Sequence, residues 1–366
     1  MKDNKSRHKG SSETRYSKER FGVEEAQHRA EEIAFAPVVF QASRLMLKHG
    51  IFAMLREAGD GLTLDEIADK SGLSLYAVQV LTESSLTAGT ILQKEDRYLL
   101  SKVGWFLLTD EMAKVNMDFV EDVNYLGLFH LDEAIEQGKP AGLKTFGPWD
   151  TIYQGLSQLP EEAKRSWFAF DHYYSDNAFN EALDIILARP IHSLLDVGGN
   201  TGKFARRCVN RNEEMEVSVF DLPQQLKMLE EQNKNEVHAN RIHGIPGNVL
   251  EEATTFPKGF DAIWMSQFLD CFSEPQVKSI LLKAAAAMDD STSLYIMETL
   301  WDKQHFETAS FCLAQISLYF TAMANGNSKM FRSDDLFRLI DAVGLKIASI
   351  HEGLGLGHTL IECKKQ

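Results

Sequence analysis

Leu194-Leu195-Asp196-Val197-Gly198-Gly199-Asn200-Thr201-Gly202-Lys203-Phe204 decides how this chain of 366 residues folds. An apolar strand, His192 to Val197, runs into it. Gly198 and Gly199 break the strand, and a helix opens near Gly202 and continues through Ala205 to Val209. Strand, glycine turn and helix form the first unit of a nucleotide-binding α/β domain. Glycines let the backbone come close to a ligand that a side chain would push away. The helix start then points free N–H groups at that ligand.

The acid inside the stretch narrows the choice of ligand. Asp196 ends the strand facing the pocket, where a dinucleotide would place a pyrophosphate that a carboxylate repels. S-adenosylmethionine carries no phosphate, and its amino-acid end carries an ammonium. A second strand, Glu216 to Phe220, ends in Asp221, 25 residues after Asp196. That is about the separation at which a carboxylate meets ribose hydroxyls. Asp196, Gly198, Gly199, Gly202 and Asp221 together indicate an adenosyl pocket.

Downstream of Asp221 and Leu222-Pro223, a helix spans Gln224 to Glu231 and a third strand falls around Val237 to Ile245. Gly247-Asn248-Val249-Leu250 follows. The fourth strand is Phe260 to Met265, then a helix from Glu274 through Met288, then a fifth strand from Ser293 to Glu298. An apolar helical segment spans Thr308 to Asn325. Ser333 is placed as the cap of the last helix. Two strands, Lys346 to His351 and His358 to Cys363, close the chain around a glycine-rich turn. A terminal antiparallel hairpin favours a methyl-donor domain over a dinucleotide domain, which ends on a parallel strand.

Ahead of this domain, helical spacing begins at Ala26, with Pro37 expected at a kink or boundary. Thr63 and Glu66 have the spacing of a capping box. Ser74 opens a helix to Ala88 with Ala77, Val78, Val80, Leu81 and Leu86 inward. Ile91–Gln93 and Tyr98–Leu100 flank a charged tip. Helix, turn, helix and hairpin make a winged helix. Its second helix holds no Lys or Arg between Lys70 and Lys94, so it lacks the cations that read DNA. Gly138 to Pro148 reads as a loop. An aromatic-rich helical stretch then runs from Glu161 to Ala188.

The chain resembles the class I S-adenosylmethionine-dependent methyltransferases. Within them it is similar to the O-methyltransferases of small aromatic hydroxy compounds over roughly residues 30 to 363. The resemblance implies a C-terminal Rossmann-like α/β domain with a seven-stranded sheet ending in an antiparallel hairpin. It also implies a mainly helical N-terminal winged-helix dimerisation domain, a homodimer, and a setting in secondary metabolism. The divisions expected are a disordered tail (1–25), the winged helix (26–108), a helical linker that covers the pocket (109–189) and the cofactor-binding catalytic domain (190–366).

By the same resemblance, S-adenosylmethionine is held by Asp196, Gly198, Gly199, Gly202, Asp221, Leu222, Asn248, Val249, Ser266 and Ser175. Phe170, Tyr173, Tyr174 and His172 would line the substrate pocket. The family carries an acid where Asn248 stands, and an amide oxygen can still accept from the adenine amino group. The family's catalytic His falls at Asp270, and its Glu at the end of the fifth strand is matched by Glu298. A further acid is absent, with Met330 near its position. A carboxylic acid titrating near ~4 is a poor acceptor for a phenol near ~10, a gap of ~8 kcal/mol against roughly 5 kcal/mol for a His. Burial would raise Asp270 and narrow the gap. His358 and His172 are further candidates for the base. The expected catalytic pair is Asp270 helped by Glu298.

Composition bounds the remaining choices. The formal net charge is −15, and residues 1–20 alone carry +4, so the body is strongly acidic and disfavours nucleic acid. No apolar run is long enough to span a bilayer and no signal-peptide pattern is visible. Cys208, Cys271, Cys312 and Cys363 have no metal-ligand spacing, and read as free thiols of a cytoplasmic protein that binds no metal. The leading expectation is O-methylation of a small aromatic hydroxyl. Methylation of carbon or nitrogen, or chemistry without methyl transfer, stays open, as does a regulator that senses the cofactor.

Overall fold

The structure is a computed structural model that describes residues 16–366. Most of the expected tail lies outside those residues, and a helix already runs from Val23. Ser17–Asp122 forms one compact unit and Val123–Gln366 belongs to another. The expected linker is therefore divided at Asp122.

In the first unit, α1 (Val23–Lys48), α2 (Ile51–Ala58), α3 (Leu64–Ser71) and α4 (Leu75–Thr87) precede a hairpin of β1 (Ile91–Lys94) and β2 (Arg97–Leu100). Then come α5 (Lys102–Thr109) and α6 (Glu111–Phe119). Contrary to the sequence expectation, α1 continues through Pro37. A proline removes one helix hydrogen bond, and here residues 23–38 are all exposed, so water can replace it. The boundary falls instead at Gly50, whose φ of 70° ends one helix and starts the next.

The capping box forms as expected. Thr63 Oγ1 accepts from the Glu66 N–H at 3.3 Å, and Glu66 Oε2 accepts from the Thr63 N–H at 2.8 Å. The same Oε2 takes a bond from Arg97 Nη1 at 3.0 Å, which ties α3 to the hairpin. Met46, Phe52, Leu55, Ile67, Ile91 and Tyr98 fill the core of this unit. Val80, expected inward, is 46% exposed. Val78 is buried as expected, Thr82 and Ser85 join it on the inner face of α4, and Thr82 satisfies its hydroxyl on the Val78 carbonyl at 2.8 Å.

In the second unit a 3₁₀ segment, Gly127–His130, leads into α7 (Leu131–Gln137), and another, Ala141–Thr145, lies inside the stretch expected as a loop. Next come α8 (Ile152–Gly155), α9 (Glu161–Ser175) and α10 (Phe179–Ile186). The α/β body then runs β3 (Ser193–Val197), α11 (Lys203–Arg211), β4 (Glu216–Asp221), α12 (Pro223–Asn233), β5 (Ile242–Pro246) and β6 (Ala262–Ser266). It ends with α13 (Glu274–Ala287), β7 (Ser293–Glu298), α14 (Glu307–Tyr319), α15 (Ser333–Asp341), β8 (Leu345–Leu354) and β9 (His358–Lys365). Ser333 is the first residue of α15 rather than its cap, because its N–H and hydroxyl both donate to the buried Asp302.

The seven strands lie in the order β5-β4-β3-β6-β7-β9-β8. β3 pairs in parallel with β4 and β6, and β9 runs antiparallel between β7 and β8. Side chains alternate across the sheet. Leu195, Ile263, Met265 and Ile296 pack beneath α13 and α15, while Leu194, Trp264, Tyr295 and Met297 pack beneath α10 and α11. Both faces are covered, which is why these strands read as continuous apolar runs. The strand order reverses between β3 and β6, and ligands of such sheets bind at the carboxyl ends of the strands beside that reversal.

The capping box gives a direct check on the first unit. Thr63→Ala should lower its stability by about 1 kcal/mol in chemical denaturation. Glu66→Gln, which keeps the box and loses only the exposed Arg97 ion pair, should lower stability measurably less than Thr63→Ala does.

Candidate active site

At that reversal lies a cavity of about 430 Å³. β3 brings Asp196 to its floor, and the glycine bend follows at once. Gly198 has a φ of 76°, and a Cβ there would come 2.2 Å from the Phe268 ring. A Cβ on Gly199 would come 2.6 Å from Asp196 Oδ2. The two glycines thus keep open the space that Asp196 faces. Asn200 continues the bend at a φ of 50°, and Gln267, after β6, sits at 44°. Both line the cavity. Such conformations cost about 1–3 kcal/mol each in non-glycine residues and gather at functional sites.

Asp221 closes the second corner. Its Oδ2 accepts from the Asn200 N–H at 2.8 Å and its Oδ1 from the Leu222 N–H at 2.7 Å. Each oxygen keeps a lone pair for a hydroxyl. Burial pushes the Asp221 carboxyl up, and those two N–H groups pull it back. Gly247, Asn248, Val249 and Leu250 form the third wall. Lys283 of α13 fixes it by donating to the carbonyls of Val249 and Glu251, at 2.6 Å each. Asn248 Oδ1 already accepts the Leu250 N–H at 3.0 Å, leaving one lone pair for an outside donor.

Asp196 is 2% exposed and its Oδ2 has no hydrogen-bond partner. Burial first, and the Asp221 charge second, push it up to about 8. Asn200 Oδ1, Gln225 Oε1, Ser266 Oγ and Gln267 Nε2 are likewise buried, without partners, and line the same cavity. Buried polar atoms are normally satisfied. A ligand with an ammonium, hydroxyls and a purine would satisfy these, so the residues present fit S-adenosylmethionine.

Several expected site residues stand elsewhere. Gly202 does not line the cavity. It caps α11 at a φ of 77°, and a Cβ there would strike Leu229 of α12 at 2.1 Å, so it serves helix packing. Ser175 ends α9, and its side chain lies outside the described residues. Phe170, Tyr173 and Tyr174 are not among the lining residues, whereas Trp167, Asp171 and His172 are. Trp167 and Asp171, one turn apart, share a side of α9, and Tyr173 falls on the opposite side. Tyr174 packs against Phe170 and Tyr173, with ring centroids 4.9 and 5.2 Å away. Of the four residues that the resemblance placed in the pocket, His172 lines the cavity, and Trp167 and Asp171 line it without having been singled out.

Asp270 and Glu298 also lie behind the wall. Asp270 is 3% exposed and Glu298 is 1% exposed, and neither lines the cavity, although Gln267, Phe268, Cys271 and Phe272 do. The 3₁₀ turn Leu269–Cys271 points the Asp270 side chain inward. Cys271 Sγ lies 3.5 Å from Asp270 Oδ1. Glu298 Oε1 accepts from the N–H groups of Phe268 and Leu269, at 3.3 and 3.0 Å, and so pins the turn. Burial pushes both carboxyls up, and the Asp270 charge raises Glu298 further. His358 is fully buried at the start of β9, away from the cavity, and burial pushes it down to about 4. Met330 meets Thr299 Oγ1 at 3.6 Å.

Among the other lining residues, Tyr153, Trp167, Phe268 and Phe272 give the cavity an aromatic end, with Asn325 also in the lining. Asn325 Nδ2 donates to the Cys271 carbonyl, and Trp167 Nε1 donates to the Tyr319 hydroxyl at 2.7 Å. One cavity thus joins a polar end at the strand tips to an aromatic end beneath α8 and α9.

Known proteins share this fold. The O-methyltransferase domain family matches residues 129–344, and the Dimerisation2-like domain family matches residues 27–98. The chain belongs to the O-methyltransferase domain family, whose members use S-adenosylmethionine. It is 23% identical over 217 residues to acetylserotonin O-methyltransferase of Gallus gallus, covering 55% of this chain and 63% of that protein, so just under two thirds of that relative is spanned. The mitomycin 7-O-methyltransferase MmcR superposes with a TM-score of 0.68 at 18% identity, over 93% of this chain and 98% of that one. The O-methyltransferase NcsB1 from neocarzinostatin biosynthesis, solved with S-adenosylmethionine and 2-hydroxy-5-methyl naphthoic acid, superposes with a TM-score of 0.60 at 17% identity, over 89% of this chain and 96% of that one.

The state of Asp196 can be read from protons. With its carboxyl at about 8, the free protein holds it mostly protonated at pH 7. An incoming ammonium requires the carboxylate, so binding of S-adenosylhomocysteine at pH 7 should release about one proton. Calorimetry in buffers of different ionisation enthalpy measures that number, and Asp196→Asn should bring it close to zero.

Proposed function

We propose that this chain transfers the methyl of S-adenosylmethionine to the hydroxyl of a small aromatic compound, and does so as a homodimer. The observation that carries the reading is the continuity of the cavity: unpartnered polar atoms at the strand tips open directly into an aromatic chamber. When bound, S-adenosylmethionine supplies a methyl already activated by a positive sulfur. The chain has to position the acceptor and exclude water.

Each wall has a task in this reading. Asp196 neutralises the ammonium of the amino-acid end. Asp221 accepts the ribose hydroxyls, and Asn248 and Val249 receive the base. Trp167, Phe268 and Phe272 sandwich a flat acceptor and keep water out. Asp270 and Glu298 take the role of holding the turn that carries Phe268, Cys271 and Phe272, since neither reaches the cavity. The hydroxynaphthoic acid bound by NcsB1 shows the size of acceptor that this fold accommodates.

The dimer rests on the first unit. Tyr76 and Val80, within the residues similar to Dimerisation2-like domains, and Trp105 and Phe106, just beyond them, are between 46% and 77% exposed. An apolar surface of this kind marks an association face. Among the described residues no helix is long and apolar enough to cross a membrane. The four cysteines are all free, which fits the cytoplasm as the site of action.

Two measurements test the proposal. Protein incubated with S-adenosylmethionine labelled in its methyl, and with a panel of phenols, should yield a labelled aryl methyl ether. Label on carbon or nitrogen would instead establish the alternative acceptor. Sedimentation should give twice the chain mass of 41.3 kDa, and Trp105→Glu with Phe106→Glu should shift it toward the monomer.

A further inference from the structure

The acceptor end of the cavity carries a charge with no counterpart. Four lining residues are acidic: Asp171, Asp176, Asp196 and Asp221. Among the described residues Lys203 is the one Lys or Arg that lines the cavity, and it is committed to Asp176, with Nζ 2.9 Å from Oδ2. Asp196 and Asp221 belong to the cofactor end. Asp171 remains. It is half-buried, one turn after Trp167 on α9, in the wall that also contains Cys271.

The groups around Asp171 give it little help. His172 Nδ1 is 3.7 Å away, too long for a good hydrogen bond. Burial and the Lys203 charge also hold His172 below its ordinary range, so it is neutral at pH 7 and above. From the 3₁₀ turn that follows its helix Asp171 also feels Asp176. From the turn after β6 it feels Asp270 and Cys271, from α11 Lys203, and from α14 Tyr319. Tyr153 of α8 lines the same wall. Apart from Lys203, these neighbours are acidic or neutral. Burial first, then Asp176 and Asp270, push Asp171 up to about 7. Among the described residues no hydrogen bond to its carboxylate is made.

Resting on the reading above, we infer that Asp171 sets the class of acceptor: a hydroxyaromatic compound that is neutral or carries an amine, and not an aryl carboxylate. The carboxylate accepts a hydrogen bond from the donor that the acceptor brings, and Trp167, one turn away, offers its ring to the same group. A second carboxylate in this chamber would meet Asp171 with no cation free to separate them. Like charges a few ångströms apart in a partly buried site repel strongly enough to change affinity by at least about tenfold. The position was hidden in the sequence because a lone Asp in an aromatic helix reads as a solvated residue.

Three probes of matched size test this: tyramine, 4-methylphenol and 4-hydroxyphenylacetate. Each is titrated at pH 8 into the full chain saturated with S-adenosylhomocysteine, followed by calorimetry. Tyramine should bind at least tenfold tighter than 4-hydroxyphenylacetate, with 4-methylphenol between them. Asp171→Asn should compress the three to within about threefold, while its own affinity for S-adenosylhomocysteine stays within threefold of the parent and so reports an intact fold. In the parent, the advantage of tyramine should shrink as the pH falls below about 7 and Asp171 takes up its proton. If 4-hydroxyphenylacetate binds as tightly as tyramine, if the order persists unchanged in Asp171→Asn, or if none of the three binds, the inference is overturned. A parent protein that fails to bind S-adenosylhomocysteine overturns the functional reading itself, and this inference with it.

Discussion

A carboxylate buried without a cation is the constraint around which this molecule is built. Removing an ion from water costs several kcal/mol unless a partner or a proton compensates it. Asp196 sits in that position because the strand places it there. It lies on the same sheet face as Leu194, whose side chain is held beneath α10 and α11. One pleat further on, the apolar cover ends and Gly199 leaves the space above Oδ2 open. Neither residue makes sense without the other, since any Cβ at position 199 would press on the carboxylate. The parallel registers of β3 with β4 and β6 then bring Asp221 and Ser266 to the same edge.

Much of this was legible in the linear chain. The bend at Gly198–Gly199, the acids at 196 and 221, and the final antiparallel hairpin announce themselves by residue type, because each depends on a local backbone or a fixed strand end. The capping box of Thr63 and Glu66 was legible for the same reason. Pro37 misled because a proline's local preference was allowed to decide, whereas the exposed setting of α1 tolerates the missing bond. Val80 misled because apolar character was taken for burial, while the inner face of α4 accepts Thr82 and Ser85 by closing the Thr82 hydroxyl on its own helix.

The aromatic end of the cavity was the least legible part, for a physical reason. Its residues come from segments far apart in the chain, and each is defined by the phase of a helix or the direction of a short turn. Asp270 follows the fourth strand, yet the turn Leu269–Cys271 carries its side chain behind the wall. Glu298 lies at the end of β7 and spends its oxygen on two backbone N–H groups of that turn. Position along the chain could identify both residues, but it could not show which way they face.

The two ends of the cavity therefore have different origins in the chain. The polar end at the strand tips comes mostly from one continuous span, residues 196–250, with Ser266 and Gln267 added after β6, and is locked by strand pairing and by glycines that admit no side chain. The opposite end is gathered from three separate patches near residues 151–179, 267–276 and 325–327, most of them on short helices and turns outside the sheet. Inheritance can act on these separately. A lineage is free to exchange what it methylates by small edits in the outer patches, while the source of the methyl stays fixed by the architecture of the sheet.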